Sequence, residues 1–202
     1  LWFAGGYPTS FLAESEEIGA TWRKAYISTF LERDIPNLGF SIPPTALRRF
    51  WMMLAHYHGQ TMNYSELGRS FGASDNTIRR YLDLLCSTFM VRQLPPWHEN
   101  IKKRQVKAPK IYIRDSGIFH TLLGVEDHDA LQFHPKIGPS WEGFAIEMII
   151  QKYGGDQAQC YFWSAYGRAE LDLMVLSGSR RIGFEIKHTD APRITSSLQI
   201  AR

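Results

Sequence analysis

Three charged side chains with metal-ligand and phosphate chemistry recur within residues 169–188, AELDLMVLSGSRRIGFEIKH. Asp172 lies in the first of two alternating runs, and Glu185 and Lys187 lie in the second. The alternation indicates two β-strands connected through residues 177–180, which would set Asp172 opposite Glu185 with Cβ atoms roughly 5 Å apart. Carboxylates that close repel each other unless a proton, water or a cation intervenes. The spacing therefore predicts a site for a hard divalent cation such as Mg²⁺, with Lys187 beside it.

The apolar residues of the same two runs set the predicted register. Successive side chains of a strand point to opposite faces, so a one-residue slip would expose the whole apolar set. The second strand is predicted over residues 181–187, and the charged residues share the face away from the core. A solvated hairpin face often carries Glu and Lys pairs as well. These strands alone therefore leave a metal site and an ordinary surface both open. The predicted core face consists of Leu171, Leu173, Val175, Ile182, Phe184 and Ile186.

Two predicted helices within residues 62–96 have the pattern of a helix-turn-helix. Ser65 is placed to cap a first helix and Ser74 a second, and Gly72 between them permits a sharp turn. In a helix-turn-helix the second helix enters the major groove and presents its first residues to the bases. The buried face of that helix is predicted to contain Ile78, Leu82 and Leu85. The residues predicted to contact nucleic acid are Asn76, Thr77, Arg79 and Arg80.

Two further apolar runs, 89–94 and 110–114, predict the paired strands of a wing. The loop between them is basic, and no acidic residue occurs from Lys102 to Arg114. Such a loop suits contact with a phosphate backbone, although a solvated loop would have the same composition. A winged helix that contacts only proteins is the alternative. The predicted phosphate contacts are Lys102, Lys103, Arg104 and Lys107.

Composition restricts the class of protein less than the motifs do. The 202 residues carry a net charge of +3, which is too small to identify a partner. The two cysteines lack CxxC spacing, which argues against a disulfide framework and a thiolate zinc site and is typical of a reducing cytoplasm. No apolar run has the length of a membrane span. We expect a cytoplasmic protein without membrane contact, with an N-terminal helix over 21–33 that breaks at Pro36.

The candidate metal residues acquire a fourth member in the helix that contains GPSWEGF. A helix with Glu142, a strand with Asp172 and a following Glu-x-Lys strand resemble the PD-(D/E)xK, or restriction-endonuclease-like, fold. The resemblance implies that Asp172, Glu185 and the Ile186 carbonyl hold Mg²⁺, with Glu142 acting through water or a second ion. It also implies that Lys187 orients the attacking water or stabilises charge on the phosphate. The expected catalytic residues are Glu142, Asp172, Glu185 and Lys187.

A longer series of motifs is similar to the C-terminal half of a large family of prokaryotic AAA-type ATPases. These motifs occur in order along the chain and include GGYPTSF, YISTFLERDIP, PKIYIRDSGIFHTLLG and HPKIGPSWEGFAIE. The resemblance implies an ATPase module, a winged helix and a nuclease-like domain in the complete protein. The chain has no GxxxxGK[ST] motif, so ATP is expected to bind only through the absent N-terminal module. Homo-oligomers would form through that same module.

We therefore expect an α/β (α+β) chain with an N-terminal helical segment, a winged helix-turn-helix and a restriction-endonuclease-like mixed sheet flanked by helices. The predicted units are the end of an ATPase lid at 1–41, the winged helix at 42–114 and a nuclease-like domain at 115–202 that is truncated at its end. One functional hypothesis is a Mg²⁺-dependent phosphodiesterase acting on nucleic acid. The other is a non-catalytic module that binds nucleic acid or a protein partner and is coupled to an ATPase.

Overall fold

The computed structural model describes residues 1–97, 108–155, 158–165 and 169–191. Helices and two three-stranded sheets alternate along the chain, which confirms the predicted α+β class. One hydrophobic core lies among the helices that precede the second sheet, and another lies between that sheet and a long helix. The boundaries predicted at residues 42 and 115 stay predictions, as does the restriction-endonuclease-like assignment.

The N-terminal segment is helical for longer than the sequence predicts. After the short helix α1 (Pro8–Phe11), α2 (Glu16–Thr29) runs into a π-helical turn (Phe30–Asp34) and a last turn, α3 (Ile35–Asn37). The prediction that Pro36 breaks the helix was wrong. In a π-helical turn each N–H bonds to the carbonyl five residues earlier. Pro36, which has no N–H to donate, lies in the turn that follows, and the helical path continues through it.

The next unit has the connectivity of a winged helix. Its elements are α4 (Pro44–His56), β1 (Gln60–Thr61), α5 (Tyr64–Phe71), α6 (Asp75–Ser87), β2 (Val91–Leu94) and β3 (Lys110–Ile113). Its sheet has the order β1-β3-β2 with antiparallel neighbours, and β2 pairs with β3 from Val91–Ile113 to Leu94–Lys110. The predicted wing strands are therefore confirmed, whereas β1 was not predicted. Asn63, rather than Ser65, caps α5, because its side chain accepts from Glu66 N.

The C-terminal unit packs a long helix against an antiparallel sheet. Ile146 and Ile150 of the long helix pack with Leu173 and Val175 of the sheet, and all of these side chains are fully buried. The elements are α7 (Ser116–Leu122), α8 (His128–Gln132), α9 (Ile137–Lys152), β4 (Gln159–Ala165), β5 (Ala169–Ser177) and β6 (Arg180–Phe184). The strands lie in the order β4-β5-β6.

The predicted hairpin register is confirmed. The β5–β6 pairing runs from Ser177–Arg180 to Leu173–Phe184, in the register that the alternation predicts. The predicted Asp172–Glu185 pair lies one position beyond the end of this ladder. The second strand ends at Phe184, not at Lys187 as predicted.

A β-bulge in β5 changes the predicted faces of the hairpin. Between the pairs Tyr161–Met174 and Trp163–Leu171, β4 advances by two residues and β5 by three. The extra residue resets the alternation and puts Leu171 on the face of Met174. A Cβ atom on Gly183, the partner of Met174, would accordingly lie 2.8 Å from Leu171 Cδ1. The prediction that Leu171 shares the core face with Leu173 was therefore wrong.

The two sheets are joined by the chain that leaves β2. Phe162 N donates to Pro95 O at 2.9 Å, and Trp97 N donates to Phe162 O at 2.7 Å, which forms a parallel bridge to β4. The Trp97 ring also packs against Tyr161, with 5.0 Å between ring centroids. The described start of the wing is therefore hydrogen bonded to the second sheet.

Candidate functional site

Helix α6 presents a polar and basic face. Ser74 caps it by accepting from Thr77 N at 3.2 Å, as predicted, and Gly72 before it has a φ of 78°, which glycine adopts without strain. Asn76, Arg79 and Arg80 are exposed, and Thr77 is half-buried. The predicted apolar residues Ile78, Leu82 and Leu85 are all fully buried.

Arg79 is held in place by the preceding helix. Its guanidinium carbon lies 3.7 Å from the centroid of the Tyr64 ring in α5, which is a cation–π contact. Such stacking leaves the edge of the guanidinium, and therefore its N–H donors, directed away from the ring. Arg79 is thus a positioned donor at the start of the face that α6 presents.

The predicted phosphate contacts lie in the basic loop between β2 and β3. Lys102, Lys103, Arg104 and Lys107 lie outside the described residues. The described chain reaches Trp97 on one side of this segment and resumes at residue 108 on the other.

A network of buried charges lies where β3 meets α9 and β5. Lys110 Nζ lies 3.7 Å from Glu142 Oε1 and forms a closer ion pair with Glu170. Tyr112 OH donates to Glu142 Oε1 at 2.5 Å. Lys110 and Tyr112 were not predicted as partners of Glu142, nor was Glu170 predicted as a partner of Lys110. The signal for Lys110 and Tyr112 was their alternate spacing in β3, which puts both side chains in reach of one neighbour.

Burial and neighbouring charges set the pKa values in this network. Burial raises the pKa of Glu142, and the charges of Asp172 and Glu170 raise it further, whereas Lys110 and the Tyr112 hydroxyl act to lower it. Burial alone would lower the pKa of Lys110, but Glu142 and Glu170 outweigh burial and raise it. Lys110 is therefore the cation that the surrounding carboxylates keep charged.

Asp172 belongs electrostatically to this network. Burial raises its pKa, whereas the N–H of Ile186 and the charges of Lys110 and Lys187 lower it. Its Oδ2 accepts a hydrogen bond from Ile186 N at 2.7 Å. The N–H of Ile186 therefore bonds to a side chain and not to a main-chain carbonyl of the neighbouring strand. This bond explains why the second hairpin strand ends at Phe184.

Glu185 and Lys187 form a pair of their own. Lys187 Nζ lies 3.2 Å from Glu185 Oε1, and the side chains are 52% and 7% exposed, respectively. Lys187 also acts on the charge of Asp172. The structure therefore brings Glu142 and Asp172 into one electrostatic network, with Lys187 at its edge.

The donors proposed for Mg²⁺ are only partly suitable. Carboxylate and carbonyl oxygens are the ligands that Mg²⁺ prefers. Within the described ranges, however, no group of three or more His, Cys, Asp or Glu side chains could hold a metal ion. Asp172 Oδ2 is bonded to Ile186 N, and Glu142 is bonded to Tyr112 and Lys110. In this arrangement Lys110 balances the charge of the carboxylates. Binding of Mg²⁺ by Asp172, Glu185 and the Ile186 carbonyl stays a prediction.

The helices and strands described so far define a winged helix joined to a helix-backed antiparallel sheet. Residues 1–129 match a family described as a domain of unknown function, DUF8612, and residues 137–202 match the domain of unknown function DUF4143. Because the first match covers more than half of the chain, this protein belongs to the DUF8612 family.

Two mycobacterial proteins are similar over the whole chain. They are the uncharacterized proteins Rv2008c of Mycobacterium tuberculosis and Mb2031c of Mycobacterium bovis, each 50% identical over 201 residues. The matched region is 100% of this chain and 45% of each relative, so the chain spans less than half the length of these relatives.

One solved structure, of the transcriptional regulator PA3341, was also matched. It is 21% identical, and the match covers 65% of this chain and 89% of that one with a TM-score of 0.28. So low a score carries no argument about fold or function. Separately, no helix among the described residues combines the length and the apolar character needed to cross a membrane.

Proposed function

We propose that this chain is a nucleic-acid-binding module in which α6 enters the major groove. The observation that carries the proposal is the β1-β3-β2 sheet order, with α6 exposing Asn76, Arg79 and Arg80. Asn and Arg are side chains that form paired hydrogen bonds with adenine and guanine edges. The basic loop that follows β2 would contact the phosphate backbone of the same duplex.

Binding of this kind depends on salt and on the identity of the helix residues. Each phosphate contact contributes a slope of about −0.9 to the dependence of log affinity on log salt concentration. A base contact from Arg80 would be worth about 1–3 kcal/mol. Arg80→Ala should therefore weaken duplex binding by about tenfold, as measured by fluorescence anisotropy with a labelled duplex.

Lys24→Ala is the matched control, because it removes one positive charge from an exposed position on α2. Its affinity should stay within about twofold of the unchanged chain, since an exposed charge away from the interface acts only through screened long-range attraction. Equal losses for Arg80→Ala and Lys24→Ala, or no duplex binding at all, would contradict the proposal. Partner binding without DNA affinity would favour the winged helix that contacts only proteins.

We place this module in a larger cytoplasmic AAA-type ATPase. The support is the series of motifs that resembles such ATPases, together with the length of the mycobacterial relatives, of which the chain spans 45%. The nucleotide site and any homo-oligomeric contacts would lie in the remaining part. ATP hydrolysis by the full-length protein but not by this chain is the expected result, and hydrolysis by neither would reject the assignment.

A Mg²⁺-dependent phosphodiesterase is the second candidate. The observation that favours it is that the helix and strand acids of the proposed motif, Glu142 of α9 and Asp172 of β5, share Lys110 as a neighbouring cation, which lies 3.7 Å from Glu142. The charge of Asp172 also raises the pKa of Glu142, and Lys187 acts on Asp172. The test is cleavage of labelled DNA and RNA with Mg²⁺ or Mn²⁺, with and without EDTA. Activity that EDTA and Lys187→Ala both abolish would support it, and cleavage that survives both changes would reject it.

A further inference from the structure

A cleft of about 420 Å³ lies beside the carboxylate network and shares only Lys187 with the proposed functions. It is lined by Trp141, Lys187, His188, Thr189 and Asp190. Trp141 directly precedes Glu142, and His188 directly follows Lys187, so the cleft adjoins the candidate phosphodiesterase residues. Its volume falls within the range of roughly 300–1,000 Å³ that small-ligand pockets occupy.

The aromatic side of the cleft consists of Trp141 and His188, which pack against Trp2 from a third, distant part of the chain. The Trp2 ring centroid lies 5.1 Å from that of Trp141 and 5.3 Å from that of His188. Trp141 and His188 are themselves 6.1 Å apart at an interplanar angle of 66°. His188 is exposed, and the two tryptophans are half-buried. Aromatic surface therefore remains available at the cleft.

A buried chain of hydrogen bonds fixes this aromatic group. Trp2 Nε1 donates to Ser140 Oγ at 2.9 Å, and Ser140 Oγ lies 2.6 Å from His120 Nε2. His120 Nδ1 lies 3.0 Å from Phe3 O, so Nδ1 carries the proton and Nε2 accepts from the serine hydroxyl. Burial lowers the pKa of His120 to about 4, which keeps the ring neutral. Because Ser140 and His120 are buried, the Trp2 indole is held in one orientation before any ligand binds.

The other side of the cleft is polar. Lys187 is half exposed there and supplies an ammonium group that also pairs with Glu185 at 3.2 Å, while Thr189 and Asp190 supply hydroxyl and carboxylate groups. An aromatic wall next to an ammonium group matches the two parts of a nucleotide, since a base stacks on aromatic rings and a phosphate pairs with a cation.

We propose that this cleft binds an unpaired base of single-stranded nucleic acid, stacked at Trp141 and His188 with its phosphate at Lys187. The inference rests on the proposed nucleic-acid function and extends it to a second, separate contact. Single strands are the expected ligand because a paired base presents no free face for stacking. The bound strand would then lead from the cleft toward the network that contains Glu142 and Asp172.

The test compares a labelled short oligothymidine with an abasic strand of equal length, using fluorescence anisotropy with the whole chain. Stacking on an aromatic side chain should give the oligothymidine an affinity about tenfold higher. His188→Ala, at an exposed position, should reduce that preference to less than about twofold, whereas Lys187→Ala should weaken binding of both strands. Lys24→Ala again serves as the charge control and should alter neither affinity. Equal affinity of the unchanged chain for the two strands would overturn the proposal.

Further variants separate this site from α6. Arg80→Ala should lower duplex affinity and leave the preference for oligothymidine over the abasic strand unchanged. Duplex binding without that preference would overturn only the cleft, and the preference without duplex binding would overturn only the major-groove proposal. Trp141→Leu should also remove the preference, and circular dichroism checks that the variant is folded. If it unfolds, His188→Ala decides the outcome, because that side chain lies at the surface.

Discussion

Replacing Lys110 by Met removes the cation at the centre of the buried network and keeps a side chain of similar length. Lys110 is 8% exposed and Glu142 is 19% exposed, so their ion pair is screened little by solvent. Removing one partner of a buried pair typically costs about 3–5 kcal/mol, because the remaining charge is left uncompensated. Glu170 is 47% exposed, so its pairing adds at most about 1 kcal/mol. We expect Lys110→Met to lower the free energy of unfolding by about 3 kcal/mol at pH 7.5, the lower end of the buried-pair range.

The loss should depend on pH. Burial and neighbouring carboxylates already raise the pKa of Glu142, and loss of Lys110 removes the main charge that opposes this shift. An acid with a raised pKa binds its proton in the folded state first, so stability falls as pH rises through that pKa. The destabilisation should therefore be largest at high pH and should shrink as the pH falls and Glu142 becomes protonated.

Urea denaturation followed by circular dichroism at pH 7.5 and pH 5 measures both effects. Glu142→Gln in the Lys110→Met background is the matched control, since it removes the uncompensated charge and should recover at least about 1 kcal/mol. A Lys110→Met chain as stable as the unchanged chain would refute the reasoning. So would a double variant whose loss equals the sum of the single losses, because the two charges would then be uncoupled.

Three further outcomes follow from close contacts in the core. Gly143→Ala would place a Cβ atom 2.3 Å from His58 Nε2 and should lower the free energy of unfolding by about 2 kcal/mol. Gly138→Ala in the same helix meets nothing within 4 Å and should leave the stability unchanged or raise it. Urea denaturation of the two variants measures the difference. Asp172→Ala leaves Ile186 N without its acceptor and should cost about 1–3 kcal/mol, with a smaller loss for Asp172→Asn, measured in the same way. Burial lowers the pKa of His58 from 6.5 to about 3, so as the pH falls the unfolded chain protonates His58 before the folded chain does. Neutral His58 therefore contributes fully to stability above pH 6.5, and that contribution is lost as the pH falls toward 3. His58→Gln should flatten that part of a stability profile, and an unchanged slope would contradict the assignment.

Local patterns predicted the elements whose signals lie within a few residues. Ser74 and the apolar spacing of Ile78, Leu82 and Leu85 predicted α6 because a cap and a buried stripe are both local properties. The hairpin register followed from alternation for the same reason. Strand β1 was missed because two residues, Gln60 and Thr61, are too few to show a period.

The features that were not predicted depend on distant contacts. Lys110 belongs to a basic run in the sequence, and only the fold brings it to Glu142 and Glu170, 32 and 60 positions away. The alternation predicted the wrong face for Leu171 because of the bulge in β5. The extra residue of a bulge depends on pairing with β4 and cannot be recognised from the residue types of β5 alone. The hydrogen bond from Ile186 N to Asp172 also joins positions 14 residues apart and was not predicted.

The parallel bridge between Pro96 and Phe162 has a mechanical consequence. A linker of free residues would absorb a displacement of the wing, but hydrogen bonds on both sides of Pro96 transmit it directly to β4. A force applied at the wing therefore reaches the strand beside β5, which carries Asp172. The winged helix and the C-terminal sheet should therefore move together when the wing is displaced.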